Sequence, residues 1–168
     1  MHLNSEMIFV RHVAPLIQPG HRVLEISAEA IPSAYQRASQ RHKTWHHLSL
    51  GVCDGADYVA TEEYAYPVCS GTYDVVISGQ VIEHVRMPWL WMCELARICK
   101  PGGLVVTIGP VSWPYHPAPV DCWRIYPEGM RALYEYAHLT VEISEVASLD
   151  KEVADTVTLG RVPETDTR

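Results

Sequence analysis

The chain has 168 residues, 48% of them hydrophobic, and a formal net charge of −7 at pH 7. This length suits one folded domain with a core of its own. The acidic charge disfavours a nucleic-acid partner, because a phosphate backbone is bound by an excess of Lys and Arg. There is no apolar run long enough to span a bilayer, and Glu6, Arg11 and His12 interrupt the N-terminal segment that a signal peptide would need. We therefore expect a cytoplasmic protein with no membrane partner.

The five cysteines are odd in number and include no CxxC pair. This pattern is typical of reduced thiols that pack in a core. The sequence thus predicts no metal site.

Segments of helical and strand-like patterning alternate along the first half of the chain. In order, we predict a helix over 5–17, a strand at RVLEIS (22–27), a helix over 29–41 and strands at WHHLSL (45–50) and GADYVA (55–60). The Pro19–Gly20 pair ends the first helix.

The second half contains the clearest elements. YDVVIS (73–78) is a continuous apolar run, as in a buried parallel strand. Pro88 suits the first turn of a helix whose inner face carries Trp91, Leu95 and Ile98. We then predict a strand over 104–109, a loop over 110–124, a helix over 127–137, and strands at LTVEISEV (139–146) and DTVTLGRV (155–162).

This alternation predicts a doubly wound α/β sheet in a single domain over 1–168, with a core at about 20–160 and a polar C-terminal tail. In such a sheet the ligand lies beyond the carboxyl ends of the strands. We therefore look for functional residues directly after each strand.

The segment YDVVISGQVIEHVRMPWLWMCELARICKPGGLVVTIGP (73–110) resembles the class I S-adenosylmethionine-dependent methyltransferases, and in particular the methyltransferase domain type 11 group. WPYHPAPVDCWRIYPEGMRALYE (113–135) is similar to a recurring segment of that group. The resemblance implies a mostly parallel seven-stranded sheet with S-adenosylmethionine over the ends of the first two strands. It also implies an acceptor site built from the loops after the fourth and fifth strands.

In the family, the first strand ends in an acidic residue followed by a glycine-rich turn. Glu25 matches the acid, but Ser27 and Glu29 stand where glycines are expected. Left-handed backbone at a non-glycine residue costs roughly 1–2 kcal/mol. We therefore expect a turn of another shape here, with Glu29 near the cofactor.

Other cofactor contacts implied by the resemblance are partly altered. Ser49 takes the place of the acid that meets the ribose, and Thr61, with Glu62 beside it, takes the place of an Asp near the adenine. The turn after the fourth strand is better kept, and there the resemblance places Ser78, Gly79, Gln80 and Val81 along the cofactor. Gly79 has an alternative interpretation as a tight strand exit.

The acceptor site would lie in SWPYHPAPVDCWRIYP (112–127). His116 is the candidate base, Asp121 either orients it or acts itself, and His84 is the second candidate. Glu83, before His84, is interpreted as a helix N-terminal charge. The candidate substrate-binding residues are four aromatic side chains, which would form the walls of the site, and one cation: Trp113, Tyr115, Trp123, Tyr126 and Arg124. Asp121 and Arg124 have the alternative of a structural ion pair.

The leading hypothesis is S-adenosylmethionine-dependent methyl transfer to an oxygen or nitrogen of a small metabolite such as a sugar or nucleoside. A second is a non-catalytic methyltransferase-like binding or regulatory subunit with a degenerate cofactor loop. A third is another enzyme on this scaffold with a different nucleotide-like ligand. A homodimer or a partner subunit could complete the acceptor pocket.

Overall fold

The computed structural model of the chain describes residues 3–27, 30–39, 44–51, 54–117, 119–148 and 153–164. The helices are α1 (Leu3–Ile8), α2 (Ala34–Ser39), α3 (Pro88–Ile98) and α4 (Pro127–Tyr136). The strands are β1 (Arg22–Ile26), β2 (Thr44–Ser49), β3 (Tyr58–Val59), β4 (Tyr73–Gly79), β5 (Cys99–Ser112), β6 (Thr140–Ser148) and β7 (Ala154–Arg161).

The strands form one sheet in the order β3-β2-β1-β4-β5-β7-β6. The pairs from β3 to β5 are parallel, while β7 runs antiparallel to both of its neighbours. The order reverses between β1 and β4, so their carboxyl ends flank the switch point at which doubly wound sheets bind ligands. The predicted mostly parallel seven-stranded α/β sheet is confirmed.

Each face of the sheet is covered by helices. On one face, α3 and α4 pack through a core that includes Trp91, Leu95 and Ile98, all fully buried as their spacing predicts. On the other face, the N-terminal segment and α2 contribute Phe9 and Tyr35 to a second core. The sheet is therefore buried on both sides, which explains its continuous apolar strands.

Some element boundaries differ from the prediction. The N-terminal helix is α-helical only to Ile8 and continues as a π-helical turn over Phe9–Val13. The helix α2 begins at Ala34, later than predicted. The hydroxyl of Ser33, directly before it, accepts the backbone N–H of Gln36 and so caps the first turn of the helix. Strand β5 is longer than predicted at both ends, since Cys99 pairs with Tyr73 of β4, and Pro110 and Ser112 pair with β7. Within the described ranges, no helix has the length and apolarity to cross a membrane.

Candidate active site

Glu25, near the end of β1, is almost completely buried. The Ser33 hydroxyl and the Trp45 indole N–H donate to its Oε2 at 2.5 and 2.9 Å. Its Oε1 is also buried and accepts no hydrogen bond from the residues that the structure describes. Burial raises the pKa of this carboxyl to about 7, and the two donors only partly oppose that rise.

Ser27 follows β1 with a φ of 53°, in the left-handed region. Its backbone N–H donates to the Leu48 carbonyl at 2.7 Å, which ties the turn to β2. At this position the chain accepts the cost of about 1–2 kcal/mol that a differently shaped turn would have avoided. Ser27 itself thus has the costly left-handed backbone, while the shape of the rest of the turn stays a prediction. Glu29 lies outside the described residues.

Gly79, at the end of β4, lies against the side chain of Tyr35. A Cβ built on Gly79 would collide with the Tyr35 hydroxyl and ring. The ring is held in place because it stacks on Phe9, with centroids 4.5 Å apart, and its hydroxyl bonds the Ser5 hydroxyl at 2.6 Å. The absence of a side chain at Gly79 is thus required by packing, whatever ligand the turn meets.

The next residue, Gln80, turns its side chain toward the N-terminal helix. Its amide donates to Asp155 Oδ1 at 3.1 Å, and Asn4 donates to Asp155 Oδ2 at 2.6 Å. Val81 is a core residue with 4% of its surface exposed, and the Ser78 hydroxyl is buried without a described hydrogen-bond partner. Among these residues at the end of β4 and directly after it, Ser78 therefore has a side-chain hydroxyl that remains available as a hydrogen-bonding group.

Ser49, Thr61 and Glu62 lie together at the β2–β3 end of the sheet. The Ser49 carbonyl accepts the Ala60 N–H at 2.8 Å, which places Thr61 directly beyond that contact. Thr61 and Glu62 are exposed and Ser49 is half-buried. Their side chains are accessible to a ligand over the strand ends, as the resemblance implies.

His84 and His116 form a second polar cluster, beyond β4 and β5. Their rings meet edge to face with centroids 5.0 Å apart. Nδ1 of His84 lies 2.5 Å from the Val120 carbonyl, and Nδ1 of His116 lies 2.9 Å from the Pro114 carbonyl. Because a carbonyl only accepts, each Nδ1 donates a proton to its carbonyl, and Nε2 is the ring nitrogen left for another partner.

Asp121 and Arg124 form a two-pronged ion pair, with N–O distances of 2.6 and 2.8 Å. Asp121 also accepts the His116 backbone N–H at 2.8 Å. The Arg124 guanidinium holds the pKa of Asp121 well below its usual range. The arrangement matches the interpretation of a structural ion pair and leaves Asp121 a weak base, so its contribution to His116 is positional.

Sequence reasoning left Glu83 out of the candidate site. Its carboxyl is buried beside His84, in a short 3-10 turn well before Pro88, so it is not a charge at the start of α3. Oε2 accepts no bond from any described residue, and burial raises the pKa of the group to about 7. The sequence carried one signal for Glu83, namely its position directly before His84 in the segment IEH.

The aromatic residues of the loop divide between two surfaces. Trp113, Tyr115 and Trp123 line an open cavity of about 320 Å³ together with the Asp121–Arg124 pair. Tyr126 lies on the far side of Trp123, in a more apolar groove of about 430 Å³. The structure therefore separates Tyr126 from Trp113 and Tyr115, while Trp123 and Arg124 line both surfaces.

The loop that follows β5 and lines this cavity is hydrogen-bonded to the turn that follows β4. Cys122 N–H donates to the Glu83 carbonyl at 2.6 Å, and the Trp123 indole donates to the Val85 carbonyl at 2.7 Å. This brings the loop after β5 and the turn after β4 into one site, as in the predicted acceptor region.

Comparison with known proteins places this site in a family. The model of the methyltransferase domain family matches residues 10–107, and the chain belongs to that family. An uncharacterized methyltransferase of Mycobacterium sp. (strain JLS) is 40% identical over 60 residues, which are 36% of this chain and 24% of the relative. The chain thus matches about a quarter of that relative's length.

The fold is that of S-adenosylmethionine-dependent methyltransferases. One from Methanosarcina mazei superposes with a TM-score of 0.73 at 8% identity, covering 92% of this chain and 98% of its own. A second structure is the Haloferax volcanii complex between the Trm112 methyltransferase activator and a methyltransferase. One of its chains superposes with a TM-score of 0.74 at 14% identity, covering 99% of this chain and 92% of its own. Haemonchus contortus phosphoethanolamine N-methyltransferase 2, solved with S-adenosylmethionine, superposes with a TM-score of 0.69 at 13% identity, covering 96% of this chain and 53% of its own. The family resemblance seen in the sequence is confirmed, and the family implies S-adenosylmethionine as cofactor.

Proposed function

We propose that this chain transfers the methyl group of S-adenosylmethionine to an oxygen or nitrogen of a small-molecule acceptor that lies against His84 and His116. The observation that carries this proposal is the pair of imidazoles, whose rings meet and which are each anchored through Nδ1 to a backbone carbonyl, so that Nε2 is left for a ligand. They lie beyond the carboxyl ends of β4 and β5, at the edge of the sheet where the family's cofactor binds.

The cofactor would lie over β1 and β2, and the residues there fit it. Glu25 has a buried oxygen without a described donor, as a carboxylate facing a polar ligand would have. Ser27 holds left-handed backbone at the start of the turn. Glu25 and Ser27 would hold the methionyl part, Ser49 the ribose, and Thr61 or Glu62 the adenine. When bound, the cofactor supplies an electrophilic methyl group on sulfur.

The protein's part in the chemistry is alignment and removal of one proton. Holding the acceptor in line with the methyl group supplies roughly 7–11 kcal/mol. His116 Nε2 takes the acceptor's proton, with His84 as its neighbour, and Arg124, paired with Asp121, holds the loop that forms one wall of the cavity. Asp121 positions His116 through its backbone N–H.

The size and character of the cavity favour a small acceptor. About 320 Å³ between aromatic walls suits a sugar or nucleoside, and the acidic net charge disfavours a nucleic acid. Tyr115 is 77% exposed and Trp113 is 38% exposed. We infer that a second surface, from a second copy of this chain or from another subunit, covers this wall during turnover.

Calorimetric titration of the chain with S-adenosylmethionine and S-adenosylhomocysteine tests the cofactor half of the proposal. Micromolar binding is expected. The acceptor half is tested by S-adenosylhomocysteine release with panels of sugars and nucleosides, in which His116→Asn should lower turnover with cofactor affinity kept. Absence of heat at millimolar ligand, from folded protein, would overturn the proposal and favour the non-catalytic subunit.

A further inference from the structure

Three potential metal ligands lie close together in the polar cluster beyond β4 and β5. One ligand atom from each of Glu83, His84 and His116 lies within 4.8 Å of the other two. Glu83 Oε1 is 3.8 Å from His84 Nε2. Around a cation with ligands at about 2.0–2.1 Å, ligand atoms lie roughly 3.3 Å apart, so small side-chain rotations would bring all three into coordination.

The histidines are oriented as metal-binding histidines are. A ligating imidazole almost always donates its other ring N–H to a carbonyl or carboxylate, which fixes the tautomer and aims the lone pair. His84 and His116 each donate Nδ1–H to a backbone carbonyl, those of Val120 and Pro114. Both Nε2 atoms are thereby prepared to coordinate.

Glu83 provides an independent sign of a ligand. Only 1% of its surface is exposed, yet Oε2 has no hydrogen-bond partner among the described residues. A buried carboxyl oxygen without a partner is rare and costly, and an ion is one of the few things that satisfy it. Arg124, in the loop packed over this turn, is already committed to Asp121.

We propose that Glu83, His84 and His116 bind one divalent transition-metal cation, with Zn²⁺ as the reference ion. Two imidazoles and one carboxylate are a frequent donor set for such cations, and they leave at least one coordination position open. A water molecule or another oxygen ligand could occupy that position.

This inference goes beyond the proposed function, since it requires neither cofactor nor acceptor. The two also interact: a cation held by His116 Nε2 would occupy the lone pair that takes the acceptor's proton, so the metal-bound chain could not use His116 as its base.

The test is calorimetric titration of the chelator-treated full chain with Zn²⁺ alone, with thermal unfolding measured in parallel. We expect one Zn²⁺ per chain and a rise in melting temperature on binding. Glu83→Gln, His84→Asn and His116→Asn should each weaken binding by at least about tenfold. The Asn variants keep an amide N–H near the position of Nδ1–H, so the bonds to Val120 and Pro114 survive.

Two control variants separate this site from adventitious binding. His138→Asn removes an exposed histidine from a left-handed position that Asn tolerates, and Cys122→Ser removes an exposed thiol next to the cluster. Both should bind Zn²⁺ as the unchanged chain does. Absence of binding by folded protein would overturn the proposal, as would affinity that survives in any of the three ligand variants.

Discussion

The hydroxyl of Tyr35 occupies the space that a side chain at Gly79 would need. Two elements far apart in sequence, α2 and the end of β4, are therefore in direct contact at the switch point of the sheet. A substitution at Gly79 cannot report on cofactor binding alone, because it first disturbs this contact.

Gly79→Ala should destabilise the fold. Overpacking of a filled site costs typically 1–3 kcal/mol, and Tyr35 has little room because Phe9 and Ser5 hold its ring and hydroxyl. The free energy of unfolding from urea titration measures the effect. Gly20→Ala is the control, since a Cβ there meets nothing within 4 Å. Equal stability of the two variants would contradict the packing role.

Glu25 should make stability depend on pH. Its pKa is about 7 in the folded protein against an ordinary value of 4.5. Between these values the folded state keeps a proton that the unfolded state has lost, so the free energy of unfolding falls as pH rises, by roughly 3 kcal/mol in all. Below pH 4.5 both states are protonated and Glu25 contributes nothing.

Glu25→Gln isolates this effect, because Glu83 titrates in a similar range and is unchanged. Urea unfolding at pH 5 and pH 8 should show that the variant loses less stability than the unchanged chain over that interval. Parallel curves for the two proteins would mean that Glu25 is ionised in the folded state at both pH values.

Asp121 and Arg124 should act as a unit. Asp121→Asn and Arg124→Gln each break the same two-pronged pair, so we expect each to lower turnover by loosening the loop that carries His116. The double variant should be no worse than either single variant, because the interaction is lost only once. Additive losses would show that each side chain has a separate task.

Gln80→Ala should weaken the docking of the N-terminal helix. Asp155 would lose one of its donors, and a hydrogen bond to a charged group contributes roughly 1.5–3 kcal/mol. Hydrogen exchange of the α1 amides should increase, while S-adenosylmethionine affinity should fall much less. A change in affinity without a change in exchange would return Gln80 to the role of a cofactor contact.

Ser49→Asp should tighten cofactor binding. A charged acceptor contributes roughly 1.5–3 kcal/mol per hydrogen bond against about 0.5–1.5 kcal/mol for a neutral one, which corresponds to about tenfold in affinity. Titration with S-adenosylhomocysteine measures it, with Ser49→Asn as an uncharged control. Weaker binding by the Asp variant would place a different part of the ligand at this strand end.

The sequence was sufficient for the order of the elements and for the inner face of α3. Those features depend on local patterns, since a buried parallel strand needs an apolar run and a helix buries side chains at fixed spacing. The two candidate bases, His84 and His116, each follow a predicted strand, and the structure brings their rings together, while their role in catalysis stays a prediction. Such residues converge at one edge of a parallel sheet.

Other features depend on contacts between distant segments, and no local pattern announces them. The partner of Gly79 is a tyrosine 44 positions earlier, counted from 35 to 79. The extra length of β5 comes from its pairing with β4 at one end and with β7 at the other. Glu83 was misread because a charged residue before a helix is usually exposed, and its burial follows from the packing of the loop over it.

The hydrogen bond between Asn4 and Asp155 joins residues 151 positions apart. During synthesis, Asn4 leaves the ribosome long before Asp155 exists, so the bond that ties the N-terminal helix to β7 forms only when the sheet is nearly complete. The bond from Gln80 forms equally late, because its acceptor is also Asp155. The turn after β4 is therefore completed late, and a nascent chain that still lacks β7 should be a poor ligand binder and a good client for chaperones.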